Sequence, residues 1–173
     1  VISAELSGIR DATLILYGAF RAGHPDYASG EFRDFMDYLL DKYRHIPLDG
    51  IAWDEPGVPG DWSYYKISPA FCRRFRTEHG YEITAKLYLL DYRVEGCGKV
   101  RYDYYVTLRN ILFTAQKRFV DRGRRIWGKH IFSGIHHTWS GEGCSNDLTA
   151  GCIDYFYLTK NLTGGFTDGG FSD

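Results

Sequence analysis

The sequence predicts an α/β fold, a partial TIM (β/α)8 barrel with parallel strands. Three observations predict it. Short apolar runs alternate with longer amphipathic stretches along the 173 residues, and strands separated by helices pair in parallel through crossover connections. Three of the runs end in polar or acidic residues, and a β/α barrel gathers its functional groups at those strand ends. No glycine-rich phosphate loop follows the first run, which turns the reading away from a dinucleotide-binding sheet.

The elements follow in order. Ala12-Thr13-Leu14-Ile15-Leu16-Tyr17 is a short apolar run, read as a buried strand. Residues 18–30 hold Gly, His, Pro, Asp and Ser and read as a loop. Phe32, Phe35, Met36, Leu39, Leu40 and Tyr43 recur at helical spacing and predict one apolar helix face. After a turn at Pro47, Gly50-Ile51-Ala52-Trp53 starts a second strand, which Asp54-Glu55-Pro56-Gly57 stops. An aromatic loop, Val58 to Tyr65, leads to Ser68-Pro69, an N-cap followed by proline at the first helical position. That helix is expected to close at Gly80. A weaker helix is expected over Thr84 to Arg93. A long one is expected over Lys99 to Arg122, with Tyr104, Leu108, Ile111, Leu112, Ala115 and Phe119 on one face and Gly123 ending it. Ile131-Phe132-Ser133-Gly134-Ile135 predicts a third strand delivering His136-His137-Thr138-Trp139. Asp147-Leu148-Thr149 predicts a cap for a helix reaching Leu162, and Gly165-Phe166-Thr167-Asp168 predicts a fourth strand. A complete barrel takes about 250 residues, so four strands make roughly half of one. With both ends looking cut, residues 1–173 are expected to be a single incomplete barrel domain, its remaining strands in flanking sequence.

Composition narrows the partners. A formal net charge of −1 gives no long-range attraction to nucleic acid or to an anionic membrane. No apolar run reaches the roughly 20 residues that span a bilayer. Aromatic residues make up 17%, enough to pack a core or to line a site for a flat ligand face. Cys72, Cys97, Cys144 and Cys152 match no zinc spacing and read as reduced, packed thiols. Asn161-Leu162-Thr163 is a glycosylation triplet of a kind that arises often by chance.

Asp54 and Glu55 are the candidate chemical pair. Glycoside hydrolysis needs a proton donor for the leaving oxygen and a second carboxylate as nucleophile or base. A Glu between an apolar strand and an aromatic loop has surroundings that raise a carboxyl pKa, which suits the acid. The competing reading is a pair that caps the next helix or bridges to an Arg. Trp62, Tyr64, Tyr65 and Trp139 are candidate stacking residues for the apolar face of a sugar ring, or else rings that pack the loops together, and Trp53 is a further candidate for substrate binding. His136 and His137 are candidates for hydrogen bonding to sugar hydroxyls, Glu142 and Asp168 are each a candidate second carboxylate or substrate-binding group or else a solvated acid, and Arg21, His24 and Asp26 also follow a predicted strand. A metal centre built on His136, His137 and Asp168 is the rival arrangement. The reading chosen has no metal and no cofactor.

Gly50-Ile51-Ala52-Trp53-Asp54-Glu55-Pro56, with Phe71-x-x-x-Phe75 and Tyr102-Asp103-Tyr104-Tyr105 after it, resembles the middle of glycoside hydrolase barrels. The resemblance implies a catalytic barrel with the general acid/base on Glu55, at the end of the fourth barrel strand. In the large retaining clan an Asn usually precedes that Glu, and here Asp54 holds the place. The expectation is therefore a glycosidase acting on a carbohydrate substrate, inactive as this piece alone. The alternatives are a non-catalytic carbohydrate-binding barrel and a metal-dependent barrel hydrolase.

Overall fold

The structure, a computed structural model, describes residues 15–19, 25–54, 65–136, 157 and 159–166, with His136 and Phe166 described by their backbone. Within these residues the chain is an α/β protein. Helix α1 is Gly30–Tyr43, strand β1 Gly50–Trp53, helix α2 Pro69–His79, helix α3 Tyr88–Asp91, helix α4 Cys97–Trp127, strand β2 Phe132–His136 and strand β3 Gly164–Phe166. A single 3-10 turn, Ile83–Lys86, precedes α3. The strands form one parallel sheet in the order β1-β2-β3. Trp53 pairs with Ile135, as the strand assignments require, and His136 pairs with Phe166.

Local chemistry sets the helix ends. The Ser29 hydroxyl accepts from the Phe32 amide at 3.0 Å at the start of α1. Ser68 does the same for Phe71 at 3.0 Å at the start of α2, each satisfying one of the amides a helix leaves without a partner. Gly80 closes α2 at φ 78°, a left-handed conformation that costs glycine little.

Two cores share α4. One packs Phe71 and Phe75 of α2, with Ile83, Leu89 and Leu90, against Val100, Tyr104, Leu108, Ile111 and Leu112 of α4. The other joins Leu40 of α1 and Ile51 of β1 to Phe119, Val120 and Ile131. Gly123 meets Ile51, while Phe119 meets Trp53 at 5.6 Å between ring centroids. Later strand residues thus meet earlier helix residues, so α4 runs antiparallel to β1. Its 31 residues span about 46 Å at 1.5 Å per residue. Its first half therefore lies beyond the carboxyl end of β1 and carries the α2–α3 layer there. Asp37–Arg118 at 2.5 Å and Asp41–Arg122 at 2.5 Å bind α1 to α4 from the outside.

Four sequence expectations are corrected. Ile15, Leu16 and Tyr17 form no strand, and Leu16 is 78% exposed. An apolar run becomes a strand only where a sheet edge receives it, and Tyr17 instead donates its hydroxyl to Asp91 at 2.8 Å. The α1 face is narrower than its spacing implies, because Phe35 is 56% and Tyr43 46% exposed while Leu40 is buried. The expected helix over Thr84 to Arg93 is two short pieces, the 3-10 turn and α3, braced where the Arg101 guanidinium donates to the carbonyls of Leu89 and Leu90. Gly123 does not end α4. The helix continues to Gly128, which closes it at φ 107°. Gly123 is instead where the helix backbone approaches the sheet: a Cβ there would lie 2.3 Å from Ile51 Cδ1.

That contact fixes an expected result. Alanine at a helix interior gains about 1 kcal/mol over glycine. Overpacking a buried side chain costs about 1–3 kcal/mol. Gly123→Ala should therefore lose about 1 kcal/mol of stability, and in an Ile51→Val background, where Cδ1 is gone, the same change should stabilise. Urea unfolding of the four proteins measures the coupling; additive effects would contradict the contact.

The expected helix from Asp147 lies outside the described residues apart from its end, where Tyr157 and Thr159 are helical. At the glycosylation triplet Thr163 is exposed and its hydroxyl accepts from the Ser133 amide at 3.2 Å, but the Asn161 Nδ2 atom that would carry the sugar is buried. Cys72 and Cys97 are free thiols, partly buried.

Candidate functional site

Alternation along β1 places Ile51 and Trp53 on the side of α4, and Gly50, Ala52 and Asp54 on the other. The burial agrees: Ile51 is buried, while Ala52 and Asp54 are exposed. On that second side the Phe132 side chain lies over Gly50 and Gly164, where added Cβ atoms would approach it to 3.3 and 3.4 Å. One step past the Trp53–Ile135 pair stand Asp54 on one strand and His136 on its neighbour. The structure thus brings Asp54 and the His136 position together at the carboxyl end of the sheet.

The other candidates divide. The Trp53 ring packs between helices and sheet, 5.6 Å from Tyr27, 5.9 Å from Phe32 and 5.6 Å from Phe119. Its rings brace the end of β1 against α1 and α4. Tyr65 lies farther along the helical layer, donating its hydroxyl to Asp91 at 2.5 Å and stacking edge-on against Tyr104 at 5.7 Å. Asp26 accepts from the Ala28 amide at 3.0 Å and holds the turn before α1. Glu55, Trp62, Tyr64, His137, Trp139, Glu142 and Asp168, with Arg21 and His24, lie outside the described residues.

Sequence reasoning missed a polar network between α2 and α4. Asp103, with its side chain 8% exposed, accepts from the Tyr81 hydroxyl at 2.8 Å and from the Lys99 ammonium. His79 Nδ1 lies 3.5 Å from Asp103 Oδ1, and His79 Nε2 lies 2.8 Å from the Thr107 hydroxyl. Glu78 accepts from Asn110 at 3.4 Å and pairs with Arg74. Burial raises the Asp103 pKa, but the hydrogen bonds from Lys99 and Tyr81 and the charges of His79 and Lys99 outweigh it, so the carboxyl sits below its ordinary value. Hydroxyl, imidazole and carboxylate follow one another as they do in nucleophilic triads. Thr107, however, is fully buried and donates back to the Asp103 carbonyl at 2.9 Å. The network fastens two helices. The i,i+4 pair Asp103 and Thr107, inside an apolar helix face, was its signal in the sequence.

A second missed feature is Gln116, 1% exposed, whose carboxamide oxygen and nitrogen have no partner among the described residues. It sits on the stripe Leu112, Gln116, Val120, Gly123 that faces the sheet, between the two cores. A buried polar group without a partner costs about 1–3 kcal/mol. Gln116→Met, similar in volume, should therefore raise stability by about 1–2 kcal/mol in a denaturant titration. A loss would show that the amide is satisfied.

Fold and site together define an α/β protein with a parallel sheet, at whose carboxyl end Asp54 and the His136 position stand on neighbouring strands. Comparison of the chain with protein-family models, curated proteins and solved structures finds no match.

Proposed function

We propose that the chain is part of a TIM-barrel glycoside hydrolase that cleaves O-glycosidic bonds with a carboxylate general acid/base. One observation carries the reading: the register of β1 and β2 sets Asp54 and the His136 position side by side at one end of a parallel sheet, and Glu55 and His137 are the next residues in the sequence. In parallel α/β folds ligands bind at that end. Glu55 is the proton donor to the leaving oxygen and Asp54 its neighbouring carboxylate. His136, His137, Glu142 and Asp168 bind sugar hydroxyls, and Trp62, Tyr64 and Trp139 supply ring faces, while Tyr65 stands apart from them with Asp91. Trp53 is the brace that holds the strand end in place.

The test is hydrolysis of a panel of aryl glycosides and oligosaccharides by the full-length protein, with and without a chelator, and by Glu55→Ala. The expected result is turnover that survives chelation and is lost in the variant. Loss on chelation would move the chemistry to His136, His137 and Asp168. Binding of sugars without turnover would leave a carbohydrate-binding barrel.

A further inference from the structure

Tyr17 and Tyr65 reach Asp91 from different parts of the chain. Their hydroxyls donate to its two oxygens at 2.8 and 2.5 Å. Tyr92 follows Asp91 directly, and Tyr105 stands one residue past Tyr104, whose ring packs on Tyr65. Tyr17 lies within electrostatic reach of Tyr92, and Tyr65 within reach of Tyr105 and Tyr17. Two tyrosines therefore hold one exposed carboxylate and two more stand beside them, with Tyr17 42% and Tyr92 46% exposed.

We propose that this tyrosine-lined surface around Asp91 is a carbohydrate-binding subsite that takes a sugar unit of a chain substrate remote from the bond being cleaved. The proposal rests on the glycosidase reading for the reaction, but its chemistry stands on these residues. Ring faces offer apolar area to the C–H face of a pyranose, and hydroxyl edges exchange hydrogen bonds with its hydroxyls. The Asp91 carboxylate has acceptor sites for about four hydrogen bonds, two of them taken by tyrosines, leaving room for sugar hydroxyls. Burial and the bond to Asp91 push the Tyr17 pKa up to about 12, so its proton stays in place over the working pH range. The carboxylate disfavours a phosphate-bearing ligand and an anionic lipid surface alike.

Placement sets the ligand's length. Tyr105 precedes Phe119 on the uninterrupted α4, and Phe119 packs on Trp53 at the strand end. At 1.5 Å per residue the surface lies about 20 Å along the helix from that end. A ligand bound at both places is an oligosaccharide or a polysaccharide, not a single sugar.

The experiment compares wild type with Tyr92→Ala, Tyr17→Ala and Tyr92→Trp in the full-length protein, after thermal melts confirm that each is folded. KM and kcat are measured on soluble β-glucan, xylan and mannan and on short aryl glycosides. Retardation by the same three polysaccharides in affinity electrophoresis is measured without regard to turnover. The expected result is a KM on the bound polysaccharide raised about tenfold in the alanine variants, with kcat unchanged, short substrates unaffected, and Tyr92→Trp close to wild type. Alanine variants that bind and turn over long chains as wild type does overturn the subsite, as does a wild type that none of the three polysaccharides retards. Retardation that depends on Tyr92, in a protein that hydrolyses nothing, supports the subsite and removes the glycosidase reading instead.

Discussion

Glu55→Gln should lose roughly 10²–10⁴ in rate on glycosides with poor leaving groups, which is what general acid help supplies. On aryl glycosides whose leaving group departs without a proton, the loss should be far smaller. The asymmetry follows from the role: glutamine keeps the shape of the side chain and removes only the transferable proton. In the sequence the residue comes two positions after the strand Gly50–Trp53, whose last ring is clamped by Tyr27, Phe32 and Phe119. A group placed by a braced strand end meets the leaving oxygen in a fixed geometry, where proximity is worth most. Steady-state rates on both substrate types decide it. Equal losses on both would remove Glu55 from the acid role, and unchanged rates on both would remove it from the site.

The largest stability effect is expected at Asp103. Asp103→Ala takes away the acceptor of the Tyr81 hydroxyl and the partner of Lys99 and His79. Hydrogen bonds to a charged group are worth about 1.5–3 kcal/mol, and a stranded buried donor adds to the loss. Lys99 is 67% exposed and regains water, so its share is small. A net loss of about 3 kcal/mol is expected. The pH dependence has a definite sign. The folded carboxyl titrates below its ordinary value, so its contribution is fully present above the unfolded pKa near about 4. It fades as pH falls through the lower folded value. The stability gap between wild type and Asp103→Asn, measured by thermal melts, should therefore be wide at neutral pH and narrow below about pH 4. A gap that widens in acid would contradict the network.

What the sequence made legible was whatever neighbouring residues decide among themselves. Ser68-Pro69 and Gly80 act within a turn of where they stand, and the ends of α2 appear where those residues place them. The strands at Ile51 and Ile135 were legible because apolar runs between turn formers have few alternatives. Gly123 was misread because its meaning is set by Ile51, which is distant in sequence and adjacent in space. Gly128 carries the helix-closing role that Gly123 was assigned. Ile15-Leu16-Tyr17 has strand composition, but pairing is a property of the receiving edge and not of the run. At the site, Asp54 and His136 were legible because a parallel register delivers strand ends together. The network of Glu78, His79, Asp103 and Thr107 was only half legible, because Asp103 and Thr107 interrupt an apolar helix face but their partners lie on another helix.

One feature of α4 has a mechanical consequence. The helix is continuous from Cys97 to Trp127, yet its buried stripe changes hands at Gln116, from the α2–α3 layer to the sheet. An apolar side chain there would weld the two packing units into one. The buried amide leaves a weak seam, so the α2–α3 layer with the first half of α4 can loosen while the second half stays gripped by β1 and α1. Stability within a fold is divided along such seams into units that open separately. A single rod thus passes through two packing units, and Tyr105 of the tyrosine surface lies on the half farther from the strand ends.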